Sequence, residues 1–296
     1  VKRFPGTRAR WRVIGGLIAG LLALTAPIAA GSQAPPDSVF LRVSDGTGHT
    51  FVCLSGLLGG TGGFARLERE LTAKGHRVIR IDPFAHSVDS ADVTFAALAR
   101  RVDAILTRLR VDSAVVIGHS HGAGVALRLA ASTPDRVTAL WLMDAGALAS
   151  SRTRVFSSSL RLIPLIARLP GGKGFIQRRI VRGLRENSGR HDWLDTATIR
   201  AYAAPLVQNV GRSVGLARRL AEATEPTPVT ELVGRIRVPV SLVLGSAPHP
   251  SAPNAAELDA LRSLGGLVRT TRLAGVGHFP HEEATREVAA LILAGR

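Results

Sequence analysis

Gly118-His119-Ser120-His121-Gly122 decides how this chain is read, because of what flanks it. Before it runs Ser113-Ala114-Val115-Val116-Ile117, a short apolar, partly β-branched run with the pattern of a buried strand. After it comes Ala123-Gly124-Val125-Ala126-Leu127-Arg128-Leu129-Ala130-Ala131, rich in helix formers and small residues. A serine between two glycines on a strand-to-helix turn is a nucleophile elbow. Such a turn leaves little room for neighbouring side chains, so glycine supplies the permissive backbone. The turn lifts the Ser120 hydroxyl clear of the sheet, above a helix N-terminus whose unpaired N–H groups offer positive partial charge to an oxyanion. A bare G-x-S-x-G also arises by chance in a chain with 31 glycines, so the strand, the helix and a histidine further along must decide it.

The rest of the chain alternates short apolar runs with helical stretches. Residues 39–43 and 50–54 flank a turn at Ser44-Asp45-Gly46-Thr47-Gly48, which predicts a hairpin. Residues 64–73 read as helix, 77–82 as strand, and 91–109 as a long helix leading to the elbow strand. Further strands are expected at 137–143, 238–244 and 266–273, and a terminal helix at 283–293. Strands alternating with helices predict an α/β chain with a doubly wound, mostly parallel sheet. Between the strands at 137 and 238 lies nearly a hundred residues of helical pattern, at 160–168, 175–185, 196–209 and 213–223. Helices inserted there form a cap over the carboxyl edge of the sheet, where ligands bind in such folds.

Composition sets bounds. The chain has 296 residues, 46% hydrophobic, enough for one sizeable core plus an insertion. Residues 1–30 combine a basic leader (Lys2, Arg3, Arg8, Arg10, Arg12) with an apolar run and small residues at Ile28-Ala29-Ala30-Gly31. That is the pattern of a secretory signal peptide, with an uncleaved signal anchor as the alternative, and residues 31–38 read as a polar linker. A secreted or envelope-associated protein is expected. Cys53 alone gives neither a disulfide framework nor a cysteine metal site. The net charge is +16, and residues 151–220 hold 14 Arg and Lys against Glu186, Asp192 and Asp195. No stacking aromatics accompany those arginines, which argues against nucleic acid. An anionic membrane or envelope surface, an anionic substrate, or a plainly solvated basic face all fit.

Three further stretches carry a resemblance. Leu54-Ser55-Gly56-Leu57, Asp82-Pro83-Phe84-Ala85-His86-Ser87 and Gly275-Val276-Gly277-His278-Phe279-Pro280-His281-Glu282-Glu283 resemble, with the elbow, the loops of the α/β-hydrolase superfamily, in its smaller capped members. The second stretch has Ala85 and Ser87 where the family pattern has glycines, and Ser55 stands where the family has a histidine. The resemblance implies the α/β-hydrolase fold. Its core would be residues 39–148 and 231–296, with a helical cap, residues 149–230, inserted after the sixth strand.

Acyl hydrolysis at neutral pH needs an activated hydroxyl, a base, an orienting acid and oxyanion donors. The resemblance makes Ser120 the nucleophile and His278 the base, with the backbone N–H groups of Leu57 and His121 as the oxyanion hole. His119 and His121 are read as pocket wall, His281 is a weaker candidate for the base than His278, and without a carboxylate cluster these histidines are not a metal site. No metal and no cofactor are expected. Residues Gly59 to Gly63 lack the Gly-Lys-Ser/Thr of a phosphate loop. The orienting acid departs from the family pattern: residues 245–254, after the strand where it usually stands, hold no carboxylate. Some relatives place the acid at the tip of the preceding strand, which is Asp144 here. Glu257 or Asp259 is the alternative, and a Ser–His pair without an acid the third. Ser120 in place of an elbow aspartate sets dehalogenase and epoxide hydrolase chemistry aside. The expected function is a carboxylesterase or small lipase acting on an apolar ester. A cofactor-free haloperoxidase or perhydrolase, and a catalytically impaired binding protein on the same scaffold, stand as rivals.

Overall fold

The computed structural model describes residues 40–57, 59–85, 90–145, 148 and 163–295. The leader, the linker, His86, Ser87 and residues 149–162 of the expected cap lie outside these, including the apolar positions Val155, Phe156, Leu160 and Leu162.

Strands β1 (Leu41–Ser44), β2 (Thr50–Leu54), β3 (Arg77–Ile81), β4 (Ala114–His119), β5 (Val137–Met143), β6 (Val240–Gly245) and β7 (Val268–Leu273) form one sheet, ordered β1-β3-β2-β4-β5-β6-β7. The pairings are parallel except β1 with β3. The hairpin expected between the first two strands is therefore absent. β1 pairs with β3, Leu41 opposite Ile81, and β2 lies between β3 and β4. Burial explains this. Phe51, Val52, Cys53 and Leu54 are all fully buried, so β2 is a central strand with a parallel neighbour on each edge, and β1 is left at the margin.

Alternation along β2 assigns its two faces. Val52 and Leu54 join a core with Val116, Leu98 and Val102 of α2 (Phe95–Arg108), and Leu127 of α3 (His121–Ser132). Phe51 and Cys53 join the opposite core with Leu67 and Leu71 of α1 (Ala65–Thr72), Ile117, Trp141, and Val288 and Ile292 near the C-terminus. Each fully buried aliphatic or aromatic side chain in these layers contributes about 1.5–3 kcal/mol. Burial also pushes the Cys53 thiol far above its ordinary range, so it is an inert part of the core.

Between β5 and β6 the chain forms α4 (Ile163–Arg168), α5 (Gly172–Glu186), α6 (Thr196–Gln208) and α7 (Val210–Glu222), followed by the short α8 (Val229–Val233). Five strands, not six, precede this insertion among the described residues. Asp195 caps α6 by accepting from Thr198 N at 2.7 Å, and Asn209 caps α7 at Arg212 N. Trp193, Tyr202 and Leu184 of the insertion pack with Phe279. Where the insertion returns, Glu225 accepts from Phe95 N and Ala96 N at the start of α2 and pairs with the buried Arg128 of α3 at 2.9 Å. Beyond β6 come α9 (Ala255–Arg262), α10 (Pro280–Glu283) and α11 (Thr285–Ala294). No helix of the described residues is long and apolar enough to cross a membrane.

Candidate active site

Ser120 stands between the end of β4 and the first residue of α3, at φ 50° and ψ −120°, a sparsely populated backbone state for a non-glycine residue. Its neighbours make that state possible. A Cβ on Gly118 would lie 2.6 Å from Gly122 O, and one on Gly122 would lie 2.3 Å from Leu54 O. The second clash shows how closely the start of α3 approaches the loop after β2. That loop carries Leu57, so the two expected oxyanion donors sit on adjoining segments. Among the described residues, neither Leu57 N–H nor His121 N–H has a hydrogen-bond partner. Ser55 spends its hydrogen bonds elsewhere, its N–H and Oγ both donating to Ile81 O at 3.1 and 3.3 Å. The Ser120 hydroxyl lies 3.5 Å from His121 Nδ1, at the limit of a hydrogen bond.

His278 is nearly buried and its Nδ1 lies 2.6 Å from Asp144 Oδ2. Asp144 is fully buried at the tip of β5, at φ 43°, with its N–H donating to Val243 O. The alternative acids lie on α9. Asp259 pairs with Arg262 on the surface, and Glu257 occupies the first turn, its N–H capped by Asn254. Asp144 is the carboxylate that the fold brings to His278.

The loop bearing His278 is held from several sides. His278 N donates to Asn187 O at 2.7 Å, and His119 Nε2 donates to His278 O at 2.8 Å. Glu283 accepts four backbone N–H groups: Gly277, Gly189 and Arg190 on Oε2, and Phe279 on Oε1. Gly189 and Arg190 belong to the insertion, so one carboxylate fastens two chain segments together.

The loop after β6, which lacks a carboxylate, delivers His249 instead. Its Nε2 lies 2.8 Å from the same Asp144 Oδ2, and its Nδ1 lies 2.8 Å from Ala247 O. Asp144, His249 and His278 thus place three potential metal-ligand atoms within 4.8 Å of one another. Ligand atoms on one tetrahedral zinc, each about 2.0–2.1 Å from the metal, would stand roughly 3.3 Å apart. The 2.6 and 2.8 Å separations fit shared protons better.

Burial sets the charge of the surrounding histidines. It lowers His121 to about 4 and His281 to about 3, with the nearby His278 charge a lesser cause, and pushes His119 well down with His281 and His278 adding to the effect. His121 packs against the edges of Phe84 and Phe95, and His281 stacks on Phe64 at 4.4 Å. These rings are neutral apolar wall at neutral pH. Asp144 and His249 are shifted toward their charged forms. Burial opposes charge on both, yet hydrogen bonds from His249 and His278 and the attraction of both rings hold the Asp144 carboxyl below its usual range, and the hydrogen bonds to Asp144 and Ala247 with the pull of Asp144 and Glu283 raise the His249 imidazole.

The resemblance singled out Ser120, His278 and Asp144 and gave no role to His249, Glu283 or Asn187. A histidine in the loop where the family pattern has its acid was the available signal for His249.

Residues 49–172 match a family model described as alpha/beta hydrolase fold. A mouse (Mus musculus) sn-1-specific diacylglycerol lipase, ABHD11, is 28% identical over 141 residues, 46% of each chain. The magnesium-chelatase 30 kDa subunit of Rhodobacter capsulatus is 27% identical over 266 residues, covering 88% of this chain and 90% of that one. A thermophilic esterase from Thermogutta terrifontis superposes with a TM-score of 0.62 at 20% identity, over 88% of this chain and 93% of that one. The chain spans about half the length of the first two diacylglycerol lipases it matches, from mouse and Danio rerio.

Proposed function

From the premise that the chain belongs to the α/β-hydrolase superfamily, we propose that it is a serine hydrolase cleaving apolar carboxylic esters through an acyl-enzyme. The observation that carries this reading is the 2.6 Å contact of His278 Nδ1 with Asp144, on a loop clamped beside the Ser120 turn. Asp144 fixes the Nδ1–H tautomer, which leaves His278 Nε2 free to act as base. Ser120 Oγ attacks the ester carbonyl carbon as His278 takes its proton. The carbonyl oxygen becomes an oxyanion held by Leu57 N–H and His121 N–H. Collapse breaks the C–O bond, the alcohol leaves with the proton from His278, and Ser120 keeps the acyl group. A water then repeats the sequence with His278 as base, releasing the carboxylic acid and restoring Ser120.

An apolar substrate is supported by the buried aromatic rings of Phe64, Phe84 and Phe279 that pack against the uncharged imidazoles near Ser120, and by the lipase named among the relatives. The test is fluorophosphonate labelling together with turnover of p-nitrophenyl esters of graded chain length, wild type against Ser120→Ala. Labelling and turnover that both vanish in the variant are expected. A folded wild type that never labels overturns the reading in favour of a binding protein. Ser55, standing where the family pattern has a histidine, is the residue that favours that rival. Turnover that requires peroxide would favour the haloperoxidase reading instead.

A docking role for the insertion belongs to the same proposal. Leu165, Leu169 and Phe175 are 58%, 56% and 47% exposed, with Arg168 and Lys173 among them in sequence. Apolar side chains rimmed by cations suit an anionic lipid surface. Co-sedimentation with phosphatidylglycerol vesicles but not phosphatidylcholine vesicles is expected, and equal binding to both would remove the electrostatic part.

A further inference from the structure

His249 carries chemistry that the proposed triad leaves unused. Its side chain is 3% exposed, and both ring nitrogens are engaged at 2.8 Å. The partner of Nδ1 is the Ala247 carbonyl oxygen, which can only accept, so Nδ1 bears a proton. The partner of Nε2 is an oxygen of Asp144, and an ionised carboxylate also only accepts. A neutral ring satisfying Ala247 would point a lone pair at that carboxylate. Both contacts are favourable together when His249 is doubly protonated and Asp144 is ionised.

The groups facing this ring agree. Asp144 reaches it from the tip of β5, Glu283 acts on it from α10, and the His278 ring stands 5.6 Å away, centroid to centroid. The two carboxylates favour a cation, and burial opposes it. His249 also meets the same Oδ2 that accepts from His278, so the charge on that oxygen is shared between two rings.

We propose that His249, as an imidazolium, is a positioning residue for the triad: it clamps the Asp144 oxygen that His278 also meets and partly neutralises the charge which that oxygen presents to His278. This deepens the serine-hydrolase reading and rests on it. Without that cation, Asp144 acts on His278 with its full charge. His278 then holds its proton more tightly, and more alkaline conditions are needed to free it as base. The sign is fixed: removing the His249 charge moves the acidic limb of the kcat/KM profile to higher pH.

The experiment is a pH profile of kcat/KM on p-nitrophenyl butyrate for the full chain, wild type, His249→Gln and His249→Ala. It is joined by nitrogen-15 NMR of the histidine rings in wild type and His249→Gln. Glutamine keeps a neutral N–H donor and removes only the charge. The acidic limb of His249→Gln is expected to rise by about half to one pH unit, the scale of one neighbouring charge, with no matching rise in KM. His249→Ala should show the same shift and a lower plateau kcat, because the clamp is lost as well. In wild type at pH 7 the His249 ring should carry protons on both nitrogens. A purely architectural histidine would lower kcat or the melting temperature and leave the limb in place. Limbs that superpose, or a wild-type ring lacking the Nε2 proton, overturn the proposal. If the wild type turns over no ester, the serine-hydrolase reading fails by itself. The His278 titration midpoint seen by NMR then decides this inference: a rise in His249→Gln upholds it and an unchanged midpoint overturns it.

Discussion

Ser120 and Asp144 both occupy strained turns at the carboxyl edge of the sheet, at φ 50° and 43°, yet their surroundings are opposite in kind. Around Ser120 charge is kept out. His119, His121 and His281 are buried rings held neutral, and the shaping elements are backbone approaches too close for any side chain. Around Asp144 charge is gathered and satisfied. Its carboxylate meets two imidazoles, and nearby Glu283 accepts four backbone N–H groups drawn from two segments. The Ser120 side is a steric construction that one short stretch of chain can specify. The Asp144 side is an electrostatic one, assembled from residues far apart in sequence, and it stands only when β5, β6, the insertion and the His278 loop are all in place.

The contrast can be attacked most directly at its two poles. Ser120→Ala should keep the fold and lose about 10⁵–10⁶ of kcat, read by single-turnover assay and by loss of fluorophosphonate labelling. Asp144→Asn should cost less, on the order of 10⁴ in kcat, by releasing the His278 tautomer, and an unaffected rate would remove Asp144 from the triad. Gly189→Ala probes the joint between segments. A Cβ there would lie 2.3 Å from Gly275 O, so a stability loss of about 1–3 kcal/mol by urea titration is expected, together with a fall in kcat. Retention of wild-type stability would show that the insertion does not brace the His278 loop.

The smallest effect is the pH dependence of stability, followed by thermal melts. Rings whose folded-state values lie below 6.5 bind fewer protons than in the unfolded chain, so each costs up to about 1.4 kcal/mol per pH unit as pH falls below that point. Two buried carboxyls oppose them: burial raises Glu282 to about 8 and Asp82 to about 6, and each adds stability as pH falls until its unfolded value is reached. Above pH 6.5 Glu282 and the raised His249 imidazole both add stability as pH falls, and below it the three rings outweigh the two acids. Greatest stability is expected near pH 6.5, with the loss steepening below about 4.5. A melting temperature flat from pH 7 to 4 would mean that the rings around Ser120 are not kept neutral by burial.

The same contrast explains what the sequence could disclose. β5 lies at 137–143 as its apolar pattern predicts, and the Ser120 turn is written in five consecutive residues. The hairpin between β1 and β2 was misread because both strands and the turn are local features, while the competing partner, β3, comes from later in the chain. His249 escaped for a related reason. Its loop shows only that a carboxylate is absent, and the distance to Asp144 exists only once β5 and β6 pair in parallel through Met143 and Val243. Glu283 reads as an ordinary acidic residue in a helical first turn until the folded chain turns four N–H groups toward it.

The fastening of the insertion at two places, between α5 and α6 and where it returns to the core, bears on how such a protein can be re-engineered. Asn187 through Arg190 are tied to the His278 loop at one side, and Glu225 is tied to α2 and Arg128 at the other. An insertion transplanted from a related fold, cut at the obvious helix boundaries, would remove the ligatures that hold His278 in register. Grafts that retain those two short tethers should yield working chimaeras where cleaner excisions give folded, inert ones.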